Sequence, residues 1–269
     1  MIIRIIGILI LVAILGWGQA GASPAAARDQ ANLENLQYRL SLGFFEDVAR
    51  VRLSLSRVGP DRYRARFSGA AQGAWQLLKK FLPESYESEM ALEDGRLKPL
   101  LYREKFYKKG QAVSKEYRFD YNRKVLEVWR GVDGRELEKD SEVPLQEPVY
   151  DPLTLFYNLR LGAVAAAPGQ TLKVTLVPTP EPREMVLRVG PQTGEGCKTM
   201  IFVRSGQGSE DGPYFVFSGP QKVPLHAWVR VLAFGKLAGE LLNPGEIMTE
   251  GLAASSQLSS SGGETRQIP

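Results

Sequence analysis

The residue types that most often catalyse reactions are few in this sequence and stand far apart. There is one histidine, His226, and one cysteine, Cys197, each in an alternating, strand-like run. A serine-type triad would need His226 as its base, and no Gly-x-Ser-x-Gly turn supplies a nucleophile. Zinc motifs combine several closely spaced histidines and cysteines, which one of each cannot provide. We therefore predict no catalytic residues, no metal site and no cofactor.

Two pairs of glutamates could place carboxylates side by side. Glu87 and Glu89, and likewise Glu136 and Glu138, are two residues apart in strand-like segments, so each pair shares one face of a sheet. Neighbouring carboxylates can act as general acid and base. Solvated strand faces carry the same pattern, and we interpret both pairs as surface residues.

Arginines are concentrated on one face of the first predicted hairpin. Arg50 and Arg52 alternate with apolar residues on one strand, and Arg62, Arg64 and Arg66 do so on the next. We call these five residues the arginine face. Guanidinium groups bind phosphate oxygens bidentately, so the face could contact anionic headgroups of lipid or lipopolysaccharide. The alternative is a solvated outer face that acidic groups elsewhere partly neutralise.

Aromatic residues occupy predicted inward positions along much of the chain. They are Tyr38, Phe67, Trp75, Tyr102, Tyr117, Phe119, Trp129 and Phe156. A curled sheet of many strands tends to leave room inside, and these side chains would then line a ligand cavity. They could equally fill a solid core, and the sequence leaves both alternatives open.

Alternation of apolar and polar residues predicts strands joined by tight turns over most of the chain. Residues 36–42 alternate in this way, a turn is predicted at 43–47, and residues 225–241 are predicted as one further strand. Dipeptides such as Asp94-Gly95 and Asp133-Gly134 separate the runs between them. Links this short join antiparallel neighbours. A flat sheet of this size would expose long edges. We therefore predict a mainly β (α+β) fold, a large curled antiparallel sheet or half-open barrel with one or two short helices on its concave side.

Two segments depart from the strand pattern. Residues 70–82 place apolar side chains at helical spacing, which predicts a short amphipathic helix or helical loop. In residues 151–162, Asp151 suits an N-cap, Pro152 the first helical position and Gly162 the C-cap, with Arg160 in the last turn. Apolar side chains project from this second helix in nearly all directions, so we expect it to be enclosed.

The N-terminus has the layout of a secretory signal peptide. Arg4 precedes an apolar run at 5–15, and small residues follow, which predicts cleavage after Ala22, with the alanines at 25–27 as a second possible site, and a periplasmic protein. The alternative, an uncleaved anchor, is disfavoured because a membrane-spanning helix needs about 20 apolar residues. The predicted divisions are a signal peptide at 1–22, a processed leader or linker at 23–35, a curved β domain at 36–242 and a disordered polar tail at 249–269.

The formal net charge of +4 is mildly basic. Such a balance favours anionic surfaces such as lipid headgroups, but it is too small to indicate nucleic-acid binding. We therefore predict no nucleic-acid partner.

Several stretches of the chain resemble the DUF3108 family of bacterial exported proteins. They are residues 38–43, 151–160, 222–224 and 234–241, of which the Asp-Pro-Leu helix ending in Arg160 is the most specific. The resemblance implies a relative of periplasmic lipoprotein-carrier folds, in which a curved antiparallel sheet wraps helices over an apolar cavity. It implies no catalytic residue. The chain departs from the family in its more apolar 228–232 segment and its long polar tail.

These observations lead us to expect a periplasmic, non-enzymatic protein. Its ligand would be an apolar or amphipathic component of the cell envelope, a lipid or lipid-modified chain, held in the concavity of the sheet. The alternative is an envelope scaffold that binds another protein through sheet edges or through the arginine face. Peripheral association with a membrane is compatible with both.

Overall fold

The structure is a computed structural model that describes most of residues 31–243. The described ranges are 31–71, 83–108, 110–146, 148–177, 183–192, 198–204, 214–217, 223–231 and 235–243. The predicted signal peptide, the predicted polar tail, most of the predicted helical segment at 70–82, Trp75 and Cys197 lie outside the described residues. Within the described ranges, no helix is long and apolar enough to cross a membrane.

The described residues form fifteen strands and one helix. The strands before the helix are β1 (Ala31–Leu42), β2 (Phe45–Gly59), β3 (Arg62–Ala71), β4 (Pro83–Glu93), β5 (Arg96–Lys108), β6 (Gln111–Asp120), β7 (Val125–Val132), β8 (Glu138–Pro144) and β9 (Val149–Tyr150). Helix α1 spans Pro152–Leu161. The strands after it are β10 (Thr171–Leu176), β11 (Arg183–Gln192), β12 (Lys198–Arg204), β13 (Tyr214–Phe217), β14 (Pro224–Val231) and β15 (Gly235–Leu241).

All fifteen strands belong to one sheet, in which the first strand, β1, lies near the middle. Its order is β8-β7-β6-β5-β4-β3-β2-β1-β15-β14-β13-β12-β11-β10-β9. The first eight strands form a meander, and β10 to β15 form a second meander that returns to pair with β1. Among the described pairs, β9 with β10 is parallel and the others are antiparallel.

The connection between β8 and β9 forces this sheet to curl. These two strands are the outermost members of the fifteen-strand order, yet β8 ends at Pro144 and β9 begins at Val149. A flat sheet would hold its outermost strands roughly 65 Å apart at the usual strand spacing. The link between Pro144 and Val149 reaches at most about 18 Å. The two edges must therefore come close, although no pairing joins them among the described strands.

Helix α1 lies against the inner face of the curled sheet, where it packs on β3, β4 and β5. Strand alternation supplies the apolar surface it covers: in β1, Leu36, Tyr38, Leu40 and Leu42 are buried while the residues between them are half-buried. The helix contributes buried apolar side chains on several sides, including Leu153, Leu155 and Leu159. The predicted fold class is confirmed, with one helix among the described residues.

The helix caps follow the prediction. Asp151 is the N-cap, Pro152 begins the helix, Arg160 lies in the last turn, and Gly162 is a left-handed C-cap with φ of 78°. The left-handed conformation at Gly162 is one that a glycine adopts at little cost.

Three boundaries differ from the sequence-based prediction. The first strand begins at Ala31, inside the segment predicted as linker, and Glu34 of that segment is buried. The run 225–241, predicted as a single strand, forms β14 and β15, which pair antiparallel with each other. The turn predicted at 43–47 is shorter, because Phe45 already begins β2.

Candidate ligand-binding pocket and its surroundings

Asp151 fixes the start of helix α1 against strand β4. One carboxylate oxygen, Oδ1, accepts hydrogen bonds from the backbone N–H groups of Leu153 and Thr154, at 2.9 and 3.0 Å. The other, Oδ2, accepts from the hydroxyl of Ser88 at 2.7 Å and from the hydroxyl of Thr154. Asp151, Ser88 and Thr154 are all fully buried. The N-cap is therefore also a tertiary contact between the helix and the sheet.

Asn158, one helical turn further on, attaches the helix to strand β5. Its side-chain oxygen accepts from Leu97 N at 2.9 Å, and its Nδ2 donates to Leu97 O at 2.7 Å. The amide thus satisfies both backbone groups of Leu97, as a neighbouring strand would. Arg96 adds a bond from its Nη2 to Ala163 O, at 3.3 Å, just beyond the C-cap.

A pocket of about 340 Å³ lies where β9 approaches β5. Its lining residues come from the β4–β5 turn, the start of β5, the end of β6 and the segment that leads into the helix. They are Glu93, Asp94, Arg96, Leu97, Lys98, Pro99, Tyr121, Pro148, Val149 and Tyr150. The Asp94-Gly95 turn has φ values of 50° and 73°, the left-handed pair that Asp-Gly hairpins favour. This tight turn brings the acidic and basic lining residues together.

The pocket has an apolar floor and a charged rim. Leu97, Pro99 and Val149 are buried, whereas Glu93, Asp94 and Arg96 are exposed. Two aromatic side chains, Tyr121 and Tyr150, add ring surface to the walls. With two acidic and two basic residues, the lining has formal charges that cancel. Such a surface complements a ligand with an apolar body and a headgroup of both charges.

Local contacts hold the lining side chains in place. Lys98 Nζ lies 3.4 Å from Glu93 Oε2 and 3.8 Å from the centre of the Tyr121 ring. The Tyr121 hydroxyl donates to Pro99 O at 2.7 Å. Burial raises the pKa of Tyr150, and the positive charge of Arg96 opposes that shift only in part. The Tyr150 phenol therefore stays neutral and can act as a hydrogen-bond donor over the physiological pH range.

The chain matches the family model DUF3108, described as a protein of unknown function, over residues 37–193. The match covers more than half of the chain and includes both the helix and every lining residue of the pocket. The chain belongs to the DUF3108 family.

Two solved structures resemble this DUF3108 protein at low sequence identity. One is a β-barrel-like protein of the domain of unknown function DUF1849 from Brucella abortus, with 11% identity, a TM-score of 0.45 and coverage of 79% of this chain and 97% of that one. The other is the hypothetical protein CT021 from Chlamydia trachomatis, with 10% identity, a TM-score of 0.21 and coverage of 79% and 91%. No curated protein matches the DUF3108 chain.

Four of the aromatic residues predicted to line a cavity are buried on the inner face of the DUF3108 sheet. Three of them form a contact series with Tyr86: Phe67, Tyr86, Tyr102 and Tyr117 follow one another across β3 to β6, with ring centres 5.7, 6.0 and 5.7 Å apart. The fourth is Tyr38, whose hydroxyl donates to Pro224 O at 3.1 Å. These rings belong to the packed core between sheet and helix.

Of the other predicted cavity residues, one more lies in this core and the rest lie elsewhere. Phe119 is buried in the same core, with its ring 6.3 Å from that of Tyr121 at the pocket. Phe156 is half-buried on the helix, with its ring 5.0 Å from that of Tyr157. Trp75 lies outside the described residues. Ligand binding by these residues stays a prediction.

Trp129 requires a correction, because it points outward. Leu126 and Val128 are the buried residues of β7, and alternation places Glu127 and Trp129 on the opposite face. The indole Nε1 donates to Glu127 Oε2 at 3.1 Å, and the Arg118 guanidinium lies 4.3 Å from the ring centre. The predicted inward position is therefore wrong, and a charged environment on the outer face accommodates the ring.

The arginine face lies on the outer side of the sheet, where carboxylates meet part of it. Arg50 bonds to Asp47, with Nη2 3.1 Å from Oδ2. Arg66 donates to Glu87, and Arg64 Nη2 lies 3.4 Å from Glu89 Oε1. Arg52 and Arg62 are exposed. Three of the five arginines are thus ion-paired within the protein, which agrees with the alternative of a partly neutralised outer face. Headgroup contact by the arginine face stays a prediction.

Glu87 and Glu89 share the outer face, as their spacing predicted, but arginines already bind both carboxylates. Besides its bonds to the arginine face, this pair receives Arg103 Nη1 at 2.8 Å from Glu87 and 3.0 Å from Glu89. Burial raises the pKa of Glu87, but the hydrogen bond from Arg66 and the charges of Arg64 and Arg103 outweigh it, so the net pKa is lowered. A carboxyl with a lowered pKa is a poor general acid at neutral pH.

The other candidates for acid–base or metal chemistry also lie apart. His226 is exposed on β14, opposite Glu240 of β15. Glu136 and Glu138 are exposed, and only Glu138 belongs to a strand. In the part of the chain that the structure describes, no three of the histidine, cysteine, aspartate and glutamate side chains gather as metal ligands would.

The pocket was not predicted as a site from the sequence. Its residues were assigned to a turn, a strand and a helix start, and only their convergence gives them a shared function. The usable signal was local: charged residues of both signs flank the Asp94-Gly95 turn, and a Pro148-Val149-Tyr150 run directly precedes the helix cap. That signal does not show which elements meet, because the approach of β9 to β5 depends on the curl of the whole sheet.

Proposed function

We propose that this DUF3108 protein is an exported, non-enzymatic binding protein of the cell envelope. Its ligand is a single-chain amphiphile, a lipid or the lipid-modified end of another molecule. The observation that carries the proposal is the pocket between β9 and β5, with its apolar floor and its rim of both charges. The predicted signal peptide at 1–22 supports export.

The pocket's size and chemistry narrow the class of ligand. Small-molecule pockets usually enclose about 300–1,000 Å³, so a volume of about 340 Å³ suits part of one acyl chain rather than a whole two-chain lipid. Leu97, Pro99 and Val149 would contact that chain. Arg96 would meet a phosphate or carboxylate and Asp94 an ammonium group, whereas Lys98 and Glu93 pair with each other at the rim.

The packing of the interior supports the pocket between β9 and β5 as the location of the binding site. The aromatic residues of the inner face contact one another and are buried, so they stabilise the scaffold. Asp151, which follows the lining residue Tyr150, attaches the helix to β4, and Asn158 attaches it to the lining residue Leu97 of β5. A binding site built on such fixed elements requires little reorganisation when the ligand enters.

Two proline positions allow a matched test. Pro148 lines the pocket and is exposed, and Pro144 is exposed on β8 and does not line it. Pro148→Trp should fill the pocket with an indole, whereas Pro144→Trp adds the same side chain elsewhere. Both variants should keep the thermal midpoint of the wild type, so that any loss of binding can be assigned to the pocket itself.

The probe is a lysophosphatidylethanolamine, which has one acyl chain, a phosphate and an ammonium group. Binding would be measured by native mass spectrometry and by calorimetry on the purified protein. We expect one bound molecule for the wild type and for Pro144→Trp, and at least about a tenfold loss of affinity for Pro148→Trp. Equal binding by both variants, or no binding to the wild type and no lipid co-purified with it, would contradict the proposal.

The scaffold alternative has less support from the described residues. The outer edge strand β8 has the sequence Glu-Lys-Asp-Ser-Glu-Val-Pro, and most of its residues are exposed. Charged side chains and a proline on an edge strand discourage the addition of another strand. Such an edge is better suited to preventing sheet extension than to binding a partner.

A further inference from the structure

Exposed aromatic residues are concentrated at one end of the sheet. Among the described residues, the exposed large hydrophobic side chains are Phe44 at 101%, Phe45 at 57%, and Tyr107 and Leu242 at 38% each. Phe44 and Phe45 lie at the β1–β2 turn, and Tyr107 lies next to the β5–β6 turn. Strand direction alternates along the meander, so these two turns share one end of the sheet. Leu242 follows β15, which is antiparallel to β1, and its N–H donates to Gln37 O, halfway along β1 and away from these two turns.

The position of the phenylalanines is fixed by the strands that carry them. Leu42 pairs with Phe45 on one side and with Leu237 of β15 on the other. Gly43, with φ of 58°, allows the tight turn, and its N–H donates to Lys236 O at 2.9 Å. Asp47 and Arg50 form an ion pair directly behind the turn. Phe44 is therefore held out in solvent by an ordered hairpin.

Exposed charged residues accompany the aromatic residues at this end, with a lysine near each of the two turns and one acidic residue, Glu46, after Phe45. Lys108 follows Tyr107 at the β5–β6 turn, and Lys236 lies beside Gly43. The Lys236 ammonium lies 4.8 Å from the centre of the Trp228 ring. Aromatic rings next to lysines match the two layers of a lipid surface, since rings sit at the headgroup level and ammonium groups meet the phosphates.

We propose that this end of the sheet docks on the surface of a phospholipid bilayer, with Phe44 and Phe45 inserted at the headgroup level. We assign a bilayer as the occupant because the aromatic anchors are not contiguous. Strands β3 and β4 stand between the two aromatic turns, which are up to about 14 Å apart at the usual strand spacing. A planar, deformable surface can contact both turns at once. A protein partner would instead favour a contiguous central cluster of anchors.

This inference does not rest on the pocket, which lies at the β4–β5 turn, at the opposite end of these strands. Docking would nevertheless leave the pocket facing away from the bilayer. The failure of one proposal therefore leaves the other standing, and each has its own variants.

The test compares binding of the full chain to phospholipid vesicles by flotation. Vesicles of phosphatidylcholine alone and of phosphatidylcholine with phosphatidylglycerol are used, and mass spectrometry defines the N-terminus of the protein sample. The double variant Phe44→Ser, Phe45→Ser should reduce the vesicle-bound fraction at least about tenfold, because each ring removes substantial apolar area from water. The control Leu242→Ser removes an exposed apolar side chain away from the two turns and should bind as the wild type does.

A second measurement reports on the β1–β2 turn itself. It stays informative when an apolar N-terminal segment of the sample also binds the vesicles. Phe44→Trp and Leu242→Trp each place one further tryptophan in the chain, and vesicles with brominated acyl chains quench an indole that enters the bilayer. We expect quenching above the wild-type level for Phe44→Trp and none for Leu242→Trp. Equal quenching of the two variants, or unchanged flotation of the double serine variant, would overturn the proposal. A soluble protein that binds through Phe44 in the absence of vesicles would also overturn it, because that protein would replace the bilayer as the occupant.

Discussion

Arg160 of helix α1 and Glu34 of strand β1 form a buried ion pair, with Nη1 and Oε1 2.5 Å apart and each side chain only 2% exposed. The Tyr157 hydroxyl donates to the same Glu34 oxygen at 3.2 Å. Burial lowers the pKa of Arg160, but the hydrogen bond and the charge of Glu34 more than offset it, so the net pKa is raised. The pair joins the last turn of the helix to the first strand of the sheet.

Removing either member of this pair should destabilise the protein strongly. Arg160→Met leaves the Glu34 carboxylate buried without its cation, and Glu34→Leu leaves the guanidinium without its anion. Each single change should cost about 3–5 kcal/mol in the free energy of unfolding, because an uncompensated charge remains in the core. Urea denaturation measures this. The double variant Arg160→Met, Glu34→Leu should recover much of the loss, and single changes that cost less than about 1 kcal/mol would show that the charges reach solvent.

Local signals in the sequence were sufficient for the helix but not for its partners. Asp151, Pro152 and Gly162 act through backbone groups a few residues away, so their types alone predicted the helix. Glu34 lies 126 residues from Arg160, and nothing near it in sequence indicates that it is buried. For the same reason, the residues before 36 looked like a linker. Strand alternation predicted the sheet, whereas the pocket required the edges of that sheet to meet.

Asp151 should tolerate asparagine much better than alanine. The Asp151→Asn variant keeps a side-chain oxygen for Leu153 N and Thr154 N, and its amide can donate to the hydroxyls of Ser88 and Thr154. Asp151→Ala loses the cap and leaves those groups without an acceptor, at a cost of about 2–4 kcal/mol. Chemical denaturation at neutral pH would compare the two variants. Equal losses would show that the negative charge, rather than the hydrogen-bond geometry, is what the cap requires.

The same carboxyl should make stability depend on pH in a defined direction. Burial raises the pKa of Asp151, although hydrogen bonds from Thr154, Ser88 and Leu153 oppose the shift. A raised folded-state pKa gives a contribution that is complete below the unfolded value of about 3.9 and is lost as pH rises through the folded-state value. The wild type should therefore lose stability relative to Asp151→Asn as pH increases through this range. A difference between the two proteins that stays constant with pH would contradict this.

Two neighbouring tyrosines should respond in opposite ways to the loss of a hydroxyl. The Tyr102 hydroxyl is buried and has no hydrogen-bond partner within the described part of the chain, whereas the Tyr117 hydroxyl donates to Glu104 at 2.9 Å. Tyr102→Phe should be neutral or stabilising, because it removes an unsatisfied polar atom. Tyr117→Phe should cost about 1–3 kcal/mol, because buried Glu104 loses a donor. Thermal and urea unfolding of the two variants test this, and a loss in Tyr102→Phe as large as that in Tyr117→Phe would indicate an ordered water at Tyr102.

Glu87 should contribute more to stability than other carboxylates of the outer face, because three arginines converge on it. Its side chain is 16% exposed, and it binds Arg66 and Arg103 and lies 4.0 Å from Arg64. Its lowered pKa means that this contribution is complete above the unfolded value of about 4.3 and is lost as pH falls through the folded-state value. Glu87→Gln should cost about 1 kcal/mol near neutral pH, since the arginines are partly exposed and solvent screens the pairs.

Glu142 provides a matched control for this prediction. It pairs with Lys139 and Arg123 on the same face, but its carboxylate is more exposed than that of Glu87. Glu142→Gln should therefore have the smaller effect on the midpoint of unfolding. Both effects should shrink in about 0.5 M salt, where screening is strong, and the Glu87 effect should shrink less because its carboxylate is less accessible to ions. If the two substitutions have equal effects that salt abolishes completely, Glu87 belongs to an ordinary solvated surface, and its arginines remain available to an anionic partner.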